Sequence, residues 1–435
     1  LSEIRPLRKN KQFQLLWIGG ALSQTGKEVT KLAMPLLVIA LTGSPAWAGI
    51  IAGSVAVAHI FGQIPAGAWA DRWDRRRLLL IGQSLRFVNS ALLASLILTD
   101  HVQVWHFVLL GIIDGLCSAL TDPARTTAIR GVVPTSQLQL AYTQEESRSH
   151  AARLVGPPLG GLLYGVARVV PFLAEAVLFL LSALCTLFAR VPRRPSSENE
   201  GTPEAVNKPK SNMRQELAES VAWLWRQPGL REVYAAVLML NLLGGAFLIP
   251  VIVLVGERGG DSVNTGIVLT GTGIGGLIGA LLSNRIGKLL PPGKLLIAVV
   301  AIFGVALVSM ALPLGPWWPM LPLVVITLST PAINVVMNVV IARMVLEEML
   351  GRMIAVLNVA AHGLAPLGPA IGGMLAAAMG GAGALILVGG LLVLTSLGAS
   401  ASRELRGFTG EAPAEEGRDQ KEPPAPGADS STSPQ

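Results

Sequence analysis

Polar breaks divide the chain into a dozen apolar segments, each about the length needed to cross a bilayer, and this spacing most constrains what the chain can fold into. A helix spans the hydrocarbon core with about 20 mainly apolar residues. Segments of that size run near 14–41, 46–69, 78–99, 104–121, 144–167 and 171–190, then near 231–256, 264–283, 294–313, 317–341, 353–379 and 382–400. The length of 435 residues would otherwise allow two or three soluble domains. Charge excludes them: only 14% of residues are charged, against about 25% in soluble domains. The mean hydropathy of +0.56 agrees, and 48 glycines suit helices that pack through small residues. The expectation is an all-α polytopic membrane protein of twelve transmembrane helices in two six-helix halves.

Basic residues set the orientation. Of the 34 Lys and Arg, only Arg168 and Arg258 fall in loops on one side, and Lys27, Lys31, Arg86, Arg148 and Arg153 fall inside segments. The rest lie on the other side, which the positive-inside rule makes cytoplasmic, with both termini there. The long apolar stretch after the basic N-terminus lacks a small-residue cleavage site, so it reads as a first span and not a signal peptide. Residues 1–190 form the first half and 191–230 a cytoplasmic linker whose stretch from Asn212 to Trp225 is an amphipathic surface helix. Residues 231–400 form the second half, and 401–435, rich in Pro, Glu and Ser, a disordered cytoplasmic tail.

An internal repeat joins the halves. Gly156-Pro157-Pro158-Leu159-Gly160-Gly161 reappears as Gly368-Pro369-Ala370-Ile371-Gly372-Gly373, 212 residues on. Gly67-Ala68-Trp69-Ala70-Asp71-Arg72 and Gly279-Ala280-Leu281-Leu282-Ser283-Asn284 share that offset. One offset for two motifs argues for parallel duplication of six spans, as in transporters whose halves are related by an axis along the membrane normal.

The loop after the second span, Gly67-x-x-Ala70-Asp71-Arg72-x-x-Arg75-Arg76-Arg77, resembles the signature loop of the major facilitator superfamily. The resemblance implies a conformational latch made by Gly67, Asp71, Arg72, Arg75 and Arg76, with Asp122 as a partner for Arg75. The chain departs from the pattern at Trp69, where the family prefers Leu, and at Asp74, where it prefers Gly. Arg153, Gly156, Pro157, Gly160 and Gly161 resemble the fifth-span motif of the drug and proton antiporter branch. There, glycines on one face let a neighbouring helix press close, and the proline bends the span. Asp114-Gly115 and Leu350-Gly351-Arg352 are similar to the exporters of macrolides and of the siderophore enterobactin.

Ionisable groups inside spans are costly and point to function. In the first span Gly20, Gln24, Lys27, Glu28 and Lys31 share an arc of about 100°, a polar stripe that should face a water-filled cavity. Glu28 either pairs with Lys31 one turn on or carries a proton. Asp114, about 15 Å into its span with no partner in its own helix, is the second proton-coupling candidate. Arg86, Asn241, Asn334, Asn338, Asn358 and His362 complete the candidate cavity lining, and Arg153 points at the neighbouring helices. Glu145 and Glu146 are expected to be solvated at the inner surface.

Several alternatives are excluded. Gly271-x-Gly273-x-x-Gly276 matches a dinucleotide-binding pattern without the acidic residue such a site needs. No phosphate-binding loop appears, and His101 with His106 makes a poor metal pair. The expectation is therefore no enzyme, cofactor, metal or nucleic-acid partner. Instead, a monomeric secondary transporter in a bacterial cytoplasmic membrane exchanges an amphipathic small molecule for protons. A drug, antibiotic or siderophore fits, and two Lys to one Glu in the first-span stripe favour an anionic or zwitterionic substrate. An importer or facilitator is the alternative.

Overall fold

The computed structural model describes residues 6–190, 228–344 and 363–408, excepting the side chains of 64, 65, 67, 68, 70–72, 228–230, 335 and 337–344. Every regular element among the described residues is helical. The first set comprises α1 (Lys11–Thr42), α2 (Pro45–Arg72), α3 (Arg75–Leu98), α4 (Val104–Val132), α5 (Leu138–Val166) and α6 (Val170–Phe188). The second comprises α7 (Pro228–Gly244), α8 (Leu248–Glu257), α9 (Ser262–Ile286), α10 (Pro292–Met310), α11 (Met320–Met344), α12 (Leu367–Ala401) and the short α13 (Arg403–Arg406).

Eight described segments are long and apolar enough to cross a membrane. Although α1 and α5 are longer than most of them, at 32 and 29 residues, each carries charges through its middle. Many large apolar side chains point outwards, among them Phe188, Leu394, Leu397, Val305 and Val88, as expected where lipid tails are as apolar as a protein core. Without a hydrophobic drive between helices, close packing and hydrogen bonds hold such a bundle together.

Local chemistry sets the boundaries. Asn10 caps α1 by accepting from the amides of Gln12 and Phe13, and Asp74 caps α3 by accepting from those of Arg76 and Arg77. The Asp that replaces the family's Gly thus starts a helix. The fourth span, expected to end near Asp122, continues through Pro123 to Val132, where Val133 turns extended ahead of Pro134. The expected seventh span is found as one apolar segment, Arg231–Glu257, with a break in it after Gly244 that divides it into α7 and α8. The boundary expected between the last two spans falls at Gly380, whose φ of 75° lies in the left-handed region that glycine tolerates, so α12 is two helices joined at a kink. The tail, expected to be structureless from Ala401, begins with α13, and Leu405 there is fully buried. The expected surface helix from Asn212 to Trp225 and the later tail lie outside the described residues.

Packing follows the repeat. Within the first set, α1 packs on α5 and α6, α2 on α4, and α3 on α4 and α6. Within the second, α12 packs on α7, α8 and α10, α9 on α11, and α10 on α11. The sets meet where α5 packs on α9 and α2 on α12. Glycines make both meetings possible. A Cβ on Gly161 would overlap the Ser262 carbonyl and lie 3.1 Å from the Gly266 Cα. On Gly373 it would lie 2.6 Å from the Pro45 carbonyl oxygen and 2.8 Å from the Gly49 Cα. The dinucleotide look-alike serves packing too, since Gly271 abuts Met320 and Gly273 abuts Leu154.

Candidate substrate cavity

A cavity of about 650 Å³ opens between the sets and is lined mostly by the first. Its apolar wall includes Met34, Pro35, Ile51, Leu93 and Leu110, with Leu248, Ile249 and Pro369 contributed by the second set. Its polar wall is the stripe of α1: Gln24, Lys27, Glu28, Thr30 and Lys31. Asp114, Asp122, Arg153 and Glu175 add charge from α4, α5 and α6. An apolar wall facing ionisable groups is the make-up of a site for an amphipathic ligand.

Glu28 is buried and accepts from Gln24 Nε2 at 2.9 Å, while Lys31 Nζ stands 3.7 Å away on an exposed side chain. Its place is made by α5: a Cβ on Gly156 would overlap that of Glu28, and one on Gly160 would lie 3.3 Å from the Val29 Cα. The carbonyl of Pro157, the next residue, abuts Gly266 of α9. One face of the fifth-span motif therefore seats α1 and the next face seats the second set.

The partner Asp114 lacks in its own helix comes from α3: Arg86 Nε donates to Asp114 Oδ1 at 2.7 Å. Arg86, expected to line the cavity, is instead sealed behind it at 1% exposure, with its guanidinium 4.2 Å over the Phe179 ring. Both of its Nη atoms lack a partner among the described residues. An arginine so buried needs an anion, and breaking such a pair strands a charge in a medium that solvates it poorly.

The expected pairing of Asp122 with Arg75 is not found. Asp122 stands 3.6 Å from Lys27, and Arg75 donates to the Thr127 carbonyl of α4 at 3.2 Å. Arg76 donates to the carbonyls of Thr186 and Leu187 at the end of α6, where a cation suits the negative end of the helix dipole. These two basic residues tie α3 to its neighbours within the first set. The backbone of Asp71 and Arg72 closes α2, and their side chains lie outside the described residues.

Other placements also differ from expectation. Arg153 is exposed in the cavity and not packed in a seam. Asn241 is half-buried in α7 and Asn334 is exposed on α11; neither lines the cavity. Asn338, Asn358 and His362 have no described side chains. Glu145, expected to be solvated, pairs with Arg148 at 2.7 Å beside a smaller polar cavity of about 390 Å³, into which Arg125 also reaches. Glu146 is exposed, as its position suggested, and stands 3.2 Å from His150.

The residue that sequence reasoning passed over is Glu175. It is buried, and its two carboxylate oxygens accept from Thr30 Oγ1 at 2.7 Å and Ser90 Oγ at 2.9 Å. The signal was present, since Glu175 is the lone charge in the 19 residues of α6.

Known proteins place this architecture. The sequence is 24% identical over 388 residues to the multidrug efflux pump Tap of Mycolicibacterium fortuitum, covering 86% of this chain and 91% of that one. It is also 24% identical over 331 residues to the multidrug resistance protein MdtG of Enterobacter lignolyticus, covering 73% and 74%. The fold is similar to that of the nucleoside transporter NupG, at a TM-score of 0.72 and 13% identity over 91% of this chain and 99% of that one. It is also similar to that of an inward-facing bacterial homologue of the lysosomal transporter Spinster, at 0.67 and 14% over 91% and 96%. The sequence profile of the Major Facilitator Superfamily matches residues 16–329, well over half the chain. The chain is thus a polytopic membrane transporter and belongs to the Major Facilitator Superfamily.

Proposed function

We propose that the protein exports an amphipathic small molecule from the cytoplasm in exchange for protons, by alternating access of two six-helix halves. The observation that carries this reading is the cavity itself, whose apolar wall faces Lys27, Glu28, Lys31 and Asp114 across a space large enough for a drug-sized molecule. The efflux relatives support export. In this reading twelve spans place both termini in the cytoplasm of a bacterial cell, and the protein works as a monomer. The glycine seams Gly161–Gly266 and Gly373–Gly49 then close the outer face, and the cavity opens inwards. A proton taken up at Glu28 or Asp114 shifts the balance between states by stabilising one of them more than the other.

Asp71 is the latch of this cycle, released and remade at the inner end of α2. Asp71→Asn is expected to cut transport strongly while membrane insertion stays normal, read by transport assay and by the amount of protein in the membrane. Lys27 and Lys31 favour anionic or zwitterionic substrates, siderophores among them, over cationic drugs.

The test is proton flux in vesicles of known orientation, followed with a pH dye against a panel of siderophores, macrolides and cationic dyes. Wild type is compared with Glu28→Gln and Asp114→Asn. Substrate-dependent antiport lost in one variant supports the reading and identifies the carrier. Substrate uptake without opposing proton movement overturns it in favour of a facilitator.

A further inference from the structure

Four carboxylates line the cavity, and they are held in different ways: Asp122, 56% exposed, stands 3.6 Å from the ammonium of Lys27. Asp114 is tied to a buried arginine by a charge-assisted bond of 2.7 Å. Protonating it would leave Arg86, at 1% exposure, without its anion, a costly arrangement in a spanning bundle. Glu28 is held by an amide donor and stands near the ammonium of Lys31. Glu175 is held by two hydroxyls, and no cation stands within ion-pairing distance of it among the described residues.

Hydroxyls differ from ammonium and guanidinium partners in one respect: they accept as well as donate. Thr30 shows both choices in place. Its Oγ1 lies 2.7 Å from Glu175 Oε1 and 3.1 Å from the carbonyl of Gly26, one turn back along α1. A hydroxyl has a single hydrogen, so it serves one of these acceptors at a time. With Glu175 ionised, the hydrogen points at Oε1. With Glu175 protonated, Oε1–H donates to Thr30 Oγ1 and the Thr30 hydrogen turns to the Gly26 carbonyl. No heavy atom moves and no buried group loses its partner, so either state is satisfied. The proton arrives from water in the cavity, which Glu175 lines, and returns to water there.

We propose that Glu175 is the proton-carrying group of the transport cycle, with Thr30 as its rotating hydrogen-bond partner, and that Asp114 is a fixed counter-ion for Arg86. This rests on the proton-coupled reading above and changes the residue that carries the coupling. The charged groups around it come from each neighbouring element: Lys27, Glu28 and Lys31 on α1, Arg86 on α3, Asp114 on α4 and Arg153 on α5. Arg86 approaches α6 at Phe179, one turn beyond Glu175, and keeps two unused nitrogens there. It is the positioning charge that keeps an ionised Glu175 tolerable in so enclosed a place.

The test needs no transported compound. Infrared difference spectra of the full chain in liposomes, recorded across a pH titration, show the stretching band of a protonated, enclosed carboxyl appear and vanish. The proposal expects such a band in wild type, its loss in Glu175→Gln, and its survival in Glu28→Gln and Asp114→Asn. Thr30→Val, which keeps the shape and removes the rotating hydroxyl, is expected to keep the band and move its midpoint. Loss of the band in Glu28→Gln or Asp114→Asn with survival in Glu175→Gln overturns the assignment, as does an unmoved midpoint in Thr30→Val or the absence of any titrating band. Ethidium efflux from the same liposomes under an imposed proton gradient is read separately. Its absence in wild type counts against drug export and leaves the infrared assignment of Glu175 intact.

Discussion

The two sets of helices are built on one frame and bury different things in it. In the first, Gly156 and Gly160 of α5 press on α1 at Glu28 and Val29. In the second, Gly368 and Gly372 of α12 press on the stretch from Leu242 to Ala246. The place taken by a buried carboxylate in one set is thus taken by the glycine break between α7 and α8 in the other. The same holds across the interior. The first set buries Glu28, Arg86 and Glu175, whereas the buried polar side chains described in the second are Thr265, Ser329 and Ser396, all uncharged. Packing needs only small residues at set intervals, so the frame is common to both sets. Ionisable groups need mutual compensation, and once one set holds a balanced cluster the other can become an apolar wall.

The sharpest way to break this comparison is to remove a charge from one side only. Arg86→Leu strands Asp114 and is expected to cost about 3–5 kcal/mol, seen as a lower unfolding midpoint of the detergent-purified protein. Adding Asp114→Leu should restore most of that loss; a double variant as unstable as the single one would show that Arg86 matters for packing against Phe179 and not for charge.

Next in size are the glycine seams, where the two sets should respond alike. Gly161→Ala and Gly373→Ala each place a methyl against the other set's backbone, and overpacking of this kind costs about 1–3 kcal/mol. Both are expected to favour the conformation in which the seam opens, measured as faster labelling of a cysteine introduced at Tyr164 in the crevice beside it. A response from only one of the pair would mean that the sets do not share the opening motion.

The smallest stability effect belongs to Lys31→Gln. Its side chain is 64% exposed, and a pair so open to solvent contributes about 0–1 kcal/mol. The unfolding midpoint should barely move, while Lys27→Gln with Lys31→Gln weakens transport of anionic compounds most. An equal loss for neutral and cationic compounds would remove charge as the basis of selection.

The membrane character of the chain and the polar stripe of α1 were legible in the sequence because each is a local pattern, of length in one case and helical period in the other. The repeat was legible because glycine and proline leave recognisable strings. What could not be read was pairing across distance. Glu175 takes its meaning from Thr30 and Ser90, 145 and 85 residues away, and Asp114 from Arg86 on another helix. Arg86 itself looked like a cavity residue because its helix position gives no sign of the Phe179 ring that covers it. The break of α7 at Gly244-Gly245 was hidden inside a hydrophobic run, where a sum of hydropathies cannot see a change of direction.

The turn at Gly380 joins the last two long helical stretches with almost no intervening chain. Glu257 at the end of α8 accepts from the Gly381 amide at 2.9 Å, which clamps the turn to a third helix. Just beyond the far end of α12, in α13, Leu405 is buried against Gly293 of α10, whose amide donates to the Phe408 carbonyl. The last long helix is thus fastened at both ends inside the second set, to α8 at the turn and to α10 just beyond Ser402, and neither fastening touches the cavity.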